Sequence, residues 1–336
     1  MTRVVQIQNG TERRVALVEE PHLRLLENAP SVFALASEAI DSNVPLTELI
    51  RRKTTGDFIH YDAVYAGDSE WLLFEPIDHP EPSRCLVSGT GLTHLGSAKN
   101  RNAMHEAATA EPTAELTDSM KMFRWGVEAG RPARGKIGIP PEWFFKGTGM
   151  ILRAHNEYLE VPPYAEEGGE EAEIAGVYLI DKEGHPCRIG MTPGNEFSDH
   201  RFEKKNYLNL AGSKIRNCSI GPELVIDPDF QSLPGRVEIE RAGRTLWSKD
   251  IRTGEEEMCH NLSNIEHHHF KFETHRRPGD IHVHYFGAHS LSFGDGIELA
   301  DGDIMSVSFE NFGRPLRNPL SIAKPATIPL AVRSLG

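Results

Sequence analysis

The sequence predicts an α+β fold, mostly β, on three observations. Runs of strand length rich in β-branched residues, such as Ile174 to Ile180, Arg236 to Arg241 and Ile304 to Phe309, are separated by turn dipeptides such as Glu183-Gly184 and Asp295-Gly296. Helical periodicity is confined to a few stretches. There is no internal repeat and no strict strand–helix alternation of the kind that builds a doubly wound sheet. At 336 residues the chain can bury a substantial core, as one large domain or two unequal ones.

The elements follow in order. Short alternating runs such as Val15-Ala16-Leu17-Val18 surround a helix that Ser31 caps, with apolar residues at Val32, Leu35 and Ile40; a second short helix covers Leu46 to Ile50. This makes residues 1–82 a small N-terminal α+β domain. The linker Asp78-His79-Pro80-Glu81-Pro82 then breaks regular structure, because proline can neither donate to a ladder nor continue a helix. Residues 84–333 form the larger domain, predominantly strands and glycine-rich turns, interrupted by a helical insert over Asn102 to Ala129.

Charge and composition narrow the function. The chain carries 49 acidic against 36 basic residues, a formal charge of −13, which on average repels phosphate backbones and argues against a nucleic-acid partner. The N-terminus turns polar before it could supply a signal peptide's apolar stretch, and no window approaches membrane-spanning length. The four cysteines, Cys85, Cys187, Cys218 and Cys259, have neither zinc-site spacing nor the density of a disulfide scaffold, so a reducing cytoplasm is the expected compartment. The sequons at Asn9, Asn217 and Asn261 carry no weight there.

Several motifs lead nowhere. Gly89-Thr90-Gly91-Leu92-Thr93-His94-Leu95-Gly96 has its third glycine too late for a dinucleotide loop and reads as a tight turn. His267-His268-His269 reads as a polar loop or edge, since adjacent histidines cannot all face one side of a strand. No Gly-x-Ser-x-Gly elbow is present. The run Glu166-Glu167-Gly168-Gly169-Glu170-Glu171-Ala172-Glu173 reads in its ordinary form as a solvated loop. It enters an apolar strand, however, and period-two geometry puts Glu171 and Glu173 on one face. Two adjacent carboxylates repel unless a proton or cation sits between them, and an all-oxygen site prefers magnesium, manganese or calcium. Glu196, beyond the turn that returns the chain, is the candidate third ligand. The residues alone leave a cation site and a solvated strand end both open.

From about Arg84 onward, the order and spacing of motifs resembles the fumarylacetoacetate hydrolase superfamily. Pro141-Glu142-Trp143-Phe144-Phe145-Lys146-Gly147-Thr148-Gly149 looks like the segment leading into that family's active site, and Glu171 and Glu173 match its metal-binding Glu-x-Glu. Gly194-Asn195-Glu196-Phe197-Ser198 resembles its Asn-Asp-Val-Ser motif, with Glu196 in place of the metal-binding aspartate. Ser213-Lys214-Ile215 with Ile220-Gly221-Pro222 resembles the stretch carrying its active-site lysine and Gly-Pro turn. Arg277-Pro278-Gly279-Asp280-Ile281 followed by His284-Tyr285-Phe286-Gly287-Ala288 resembles its Pro-Gly-Asp segment and substrate-contacting loop. The resemblance implies a mixed β-roll, a divalent cation on Glu171, Glu173 and Glu196, a small-molecule 2-keto acid substrate, and a homodimer or homotetramer.

The departures direct the choice of reaction. Hydrolases of the superfamily carry a His–Glu pair on a lid near the first glycine turn; here Ser97 stands where that histidine is expected, and His94 and His105 are out of register. Hydrolysis of a carbon–carbon bond needs a base to activate water. Among members of the superfamily the sequence looks closest to dehydratases of 2-keto-3-deoxy sugar acids. On that reading a magnesium ion polarises the keto acid, Lys214 removes a proton beside the carbonyl and Glu142 protonates the departing hydroxyl, or the two exchange roles. Ser213, Asn195, His284 and Gly287 are the candidates for substrate contact. A diketo-acid hydrolase using the same metal site and a noncatalytic keto-acid-binding protein are the rival classes.

Overall fold

The computed structural model describes residues 1–96, 98–99 and 117–336. Ser97, His105 and the first part of the expected helical insert lie outside the described residues; its second part is the helix Asp118–Ala129, capped by the Thr117 hydroxyl.

Among the described residues two sheets carry the fold, one of thirteen strands and one of five. At the centre of the larger sheet is an antiparallel hairpin, Ala172–Ile180 with Pro186–Asn195, turning through Asp181 to His185, where the Asp181 carboxylate accepts from the Glu183 and His185 N–H groups. The first of these strands is buried along its whole length. One face, with Ala175, Val177 and Leu179, packs with Ile281 and Val283 beneath the N-terminal helix Val32–Ser42. The other face, with Ile174, Tyr178 and Ile180, packs on Val237, Val307 and Phe309 of the five-stranded sheet and on Ile265 and Phe270 of the helix Leu262–Phe270. A strand covered on both sides has no solvated row, which explains why its sequence reads as one apolar run rather than as an alternation.

The pairings are mixed. Cys85–Gly91 runs parallel to Ile281–Tyr285 and antiparallel to Glu142–Thr148, which ends that side of the sheet. At the other side Thr2, Arg3 and Val4 pair with Ile226, Val225 and Leu224, so the N-terminal strands extend the same sheet. Ser31 caps the first helix as its sequence predicts, accepting from the Ala34 N–H.

Three sequence expectations are corrected. Gly89 and Gly91 belong to the strand Cys85–Gly91 rather than to a turn. Gly89 is required by packing, because a Cβ there would lie 2.4 Å from the Phe144 ring. His267 to His269 are helical, within Leu262–Phe270, and His268 and His269 are buried, with the Trp143 indole N–H donating to His269 Nδ1. The acidic run is solvated only at its start, at Glu166: Glu170 is fully buried and its carboxylate accepts from the Ser292 N–H and hydroxyl. The glycines between the acids allow this approach, since a Cβ at Gly168 would lie 2.3 Å from the Phe197 ring.

Glu75, just before the proline-rich segment Asp78 to Pro82, gives a test of how the fold buries charge. Burial pushes its carboxyl up to about 7, and its Oε2 has no hydrogen-bond partner. A carboxyl that holds its proton more tightly folded than unfolded favours the fold fully below pH ~4, and this contribution is lost as pH rises through the folded value. Glu75→Gln should therefore stabilise the protein at pH 8 by on the order of 2 kcal/mol, a few degrees in Tm, and leave it nearly unchanged at pH 4.5 in thermal melts.

Candidate functional site

The central hairpin places three glutamates together. Glu173 pairs with Gly194 across the hairpin, and one residue beyond the first strand Glu171 follows it on the same face. Glu196 lies just past the partner strand, tied by its own N–H to Glu171 O at 2.9 Å. Carboxylate oxygens of Glu171, Glu173 and Glu196 lie within 4.8 Å of one another, and the residues are 8 %, 1 % and 0 % exposed.

Two lysines meet this cluster. Lys214, in the last turn of the short helix Leu210–Lys214, donates from Nζ to Glu171 Oε1 and Glu196 Oε2, each at 2.5 Å. Its ammonium also lies 4.7 Å from the centre of the Phe144 ring. Lys146 is fully buried; its Nζ lies 2.5 Å from Glu196 Oε1 and donates to the carbonyls of Phe197 and Lys214 at 2.8 and 2.9 Å. It thus ties the third glutamate to the backbone of the residue carrying the other lysine.

Further groups fix the carboxylates. His200 Nε2 lies 3.1 Å from Glu171 Oε1, the Ser198 hydroxyl donates to Glu196 Oε2, and the Gly287 N–H donates to Glu173 Oε2 at 2.7 Å. Gly287 must be glycine: its φ is +99°, and a Cβ would sit 2.0 Å from the Thr93 hydroxyl.

The electrostatics divide the acids. Burial works to raise the Glu171 carboxyl, but the Lys214 ammonium and His200 outweigh it and hold the group well below the usual carboxylate range. Burial and the charges of Glu171 and Glu196 together hold Glu173 well above that range. Burial alone would lower His200, yet the hydrogen bond and charge of Glu171 leave it raised. Of the three, Glu173 is the one driven toward its protonated form, the familiar outcome for like charges that cannot all ionise. Three buried, converging carboxylates fit a hard divalent cation, which could take the place of that proton.

The other sequence candidates fall into two groups. Glu142, Phe144 and Lys146 share one face of the strand Glu142–Thr148, so Glu142 faces the same side as the lysine that meets the cluster; its Oε2 accepts from the Tyr207 hydroxyl at 3.3 Å. Asn195 and Ser213 are buried beside the site but are engaged with the protein. Asn195 Oδ1 accepts from the Glu171 N–H and its amide N–H lies against Met305 Sδ, while the Ser213 hydroxyl donates to Leu210 O. His284 is not among the groups that touch the carboxylates. Its ring nitrogens are bonded to the Ser88 and Thr90 hydroxyls and its ring packs 4.4 Å from His269.

Two residues of the site had gone unassigned in the sequence. Lys146 carries a readable signal, since it stands at even spacing from Glu142 in an alternating strand. His200 offers none beyond following Asp199, whose side chain caps the helix His200–Lys205.

Neither a family model nor a curated protein matches this chain. Solved structures do. 2-Keto-3-deoxyarabinonate dehydratase superposes with a TM-score of 0.70 at 19% identity, covering 96% of this chain and 99% of that one. The same enzyme complexed with magnesium and 2,5-dioxopentanoate superposes at 0.69, also at 19% identity, with 96% and 99% covered. 5-Carboxymethyl-2-hydroxymuconate delta-isomerase from Mycobacterium smegmatis follows at 0.56 and 16% identity, covering 96% and 100%. The fold is thus the α+β, mixed-sheet fold of the fumarylacetoacetate hydrolase type. Into it this chain builds a buried cluster of three glutamates and two lysines.

The position of Lys214 leads to a directional expectation. Its ammonium engages oxygens of Glu171 and Glu196, so Lys214→Met should bind magnesium more tightly than the parent, by roughly three- to tenfold, about 1 kcal/mol. Glu173→Gln should weaken the same binding by tenfold or more. Calorimetric titration without substrate checks both; weaker binding by Lys214→Met would count against a shared location.

Proposed function

We propose that this protein is a magnesium-dependent hydro-lyase that dehydrates a 2-keto-3-deoxy-pentonate to 2-oxoglutarate semialdehyde, which is 2,5-dioxopentanoate. The observation that carries this reading is the buried set of Glu171, Glu173 and Glu196 with Lys214 and Lys146, in the fold of a dehydratase solved with magnesium and 2,5-dioxopentanoate. Glu171, Glu173 and Glu196 would hold the ion, which when bound supplies a Lewis-acidic anchor for the carboxylate and keto oxygens of the substrate.

The remaining work belongs to the chain's own residues. Lys214, beside two of the ligands and against the Phe144 ring, would take a proton from C3, next to the carbonyl, as the free amine, the form favoured once a cation rather than its own ammonium neutralises those carboxylates. Glu142, on the strand face that also carries Phe144 and Lys146, would give a proton to the hydroxyl leaving C4. The Tyr207 hydroxyl steadies that carboxyl. The C3–H and C4–O bonds break and water leaves, giving a C3=C4 enone; a proton moved from C5 to C3 makes the C4=C5 enol, which tautomerises to the aldehyde at C5. Lys146 holds Glu196 and the Lys214 backbone, and so fixes the distance between ligand and base.

Purified protein should convert a 2-keto-3-deoxy-pentonate, in the presence of magnesium, to one product lighter by a single water, identified by mass. EDTA should abolish the turnover and added magnesium restore it. Lys214→Ala and Glu171→Ala should each lower kcat by a factor of about 10³ or more, the scale of a lost acid–base group or charge anchor. Two acids released from a 2,4-diketo acid would instead establish a carbon–carbon hydrolase, and binding without turnover a noncatalytic role. Either result, with the pentonate left intact, removes the dehydratase reading.

A further inference from the structure

Two surfaces lie apart in the chain and complement each other. The first is its last ten residues. After the strand Leu316–Ile322, the N–H groups of Ala323 and Ala326 donate to Val161 O and Pro163 O, and the hydrogen bonds beyond Ala326 are local, between Ser334 and Gly336. From there Ile328, Leu330, Val332 and Leu335 are 81 %, 97 %, 95 % and 89 % exposed. Ile328, Leu330 and Val332 alternate, so an extended segment carries all three on one side, and Pro325 and Pro329 favour extended backbone. Large apolar side chains exposed in such close succession mark a surface that a partner covers.

The second surface is a groove of about 700 Å³ between the helices Val32–Ser42 and Leu46–Arg52 and the turn end of the central hairpin. Ile40, Val44 and Ile189 supply apolar wall, and Asp181, Glu183 and Asp227 line it with acid. The basic residues nearby are engaged: Arg188 with Glu266 at 2.7 Å and Lys182 with Asp41 at 2.8 Å. The groove therefore suits an extended apolar segment bearing a positive charge. Arg333 is the only charged side chain from Thr327 onward.

We propose that residues 327–336 of one copy lie in this groove on a second copy, with the alternating apolar side chains on its wall and Arg333 against its acids. The arm leaves from beside Leu159–Val161, the edge strand of the five-stranded sheet, whereas the groove is built on the thirteen-stranded sheet. Within a single chain the arm stands in solvent rather than in its own groove. Ten extended residues reach at most roughly 35 Å, enough to cross a groove of this size.

The groove contains its own reporter. Cys187 lines it and is partly exposed, while Cys85, Cys218 and Cys259 are buried. Val332→Cys changes a fully solvated position and should fold as the parent does. Under mild oxidation it should form disulfide-linked dimers on non-reducing electrophoresis, and Cys187→Ser in the same chain should remove them. Three results would overturn the proposal: no dimers, dimers that persist with Cys187→Ser because two arms join each other, or a disulfide confined to one chain. The reading stands apart from the catalytic one, since none of these residues meets the carboxylate cluster.

Discussion

The structure is organised around a repulsion. Glu171, Glu173 and Glu196 are driven within 4.8 Å of one another in a place water scarcely reaches, and buried charges of one sign are tolerated only when something neutralises them. Two lysines, a raised histidine and the drive of Glu173 toward its neutral form do so here. Lys146 is held in turn by two backbone carbonyls, Glu196 by the Ser198 hydroxyl and Glu173 by the Gly287 N–H, so the neighbourhood of the cluster is a connected polar network inside an apolar frame.

The frame explains why the cluster keeps its geometry. The strand that carries Glu173 is covered on both faces, by the N-terminal helix on one side and by the five-stranded sheet on the other, and cannot slip by one residue without turning both cores inside out. Glu196 is locked to Glu171 through the backbone as well as through side chains. A site of this kind is pre-organised: a ligand that arrives meets oriented dipoles and fixed charges instead of side chains that must first be ordered.

Much of the fold and part of the site were legible in the sequence, for identifiable reasons. The Ser31 cap, the hairpin turn around Glu183-Gly184 and the pairing of Glu171 with Glu173 depend on local rules, namely capping, turn chemistry and the two-residue period of a strand. What escaped depends on distant partners. Three successive histidines look like a polar loop until Trp143, His282 and the Gly138 carbonyl supply partners that let a helix bury two of them, His268 and His269. The glutamate run looks solvated until Ser292, more than a hundred residues on, satisfies Glu170. His200 has no local signature at all, because its importance lies only in its contact with Glu171. His284, a candidate for substrate contact, stands against Ser88 and Thr90.

The proposed site requires these three carboxylates to hold a divalent cation to which a 2-keto acid binds directly. Electron paramagnetic resonance of bound manganese, with a 2-keto acid enriched in ¹⁷O at its keto oxygen, tests it most directly. One tightly bound ion per chain, its lines broadened by the labelled acid, is the expected result, together with loss of that ion in Glu171→Ala. Lines unchanged by the label, or an ion that remains bound when Glu171 is gone, would contradict it.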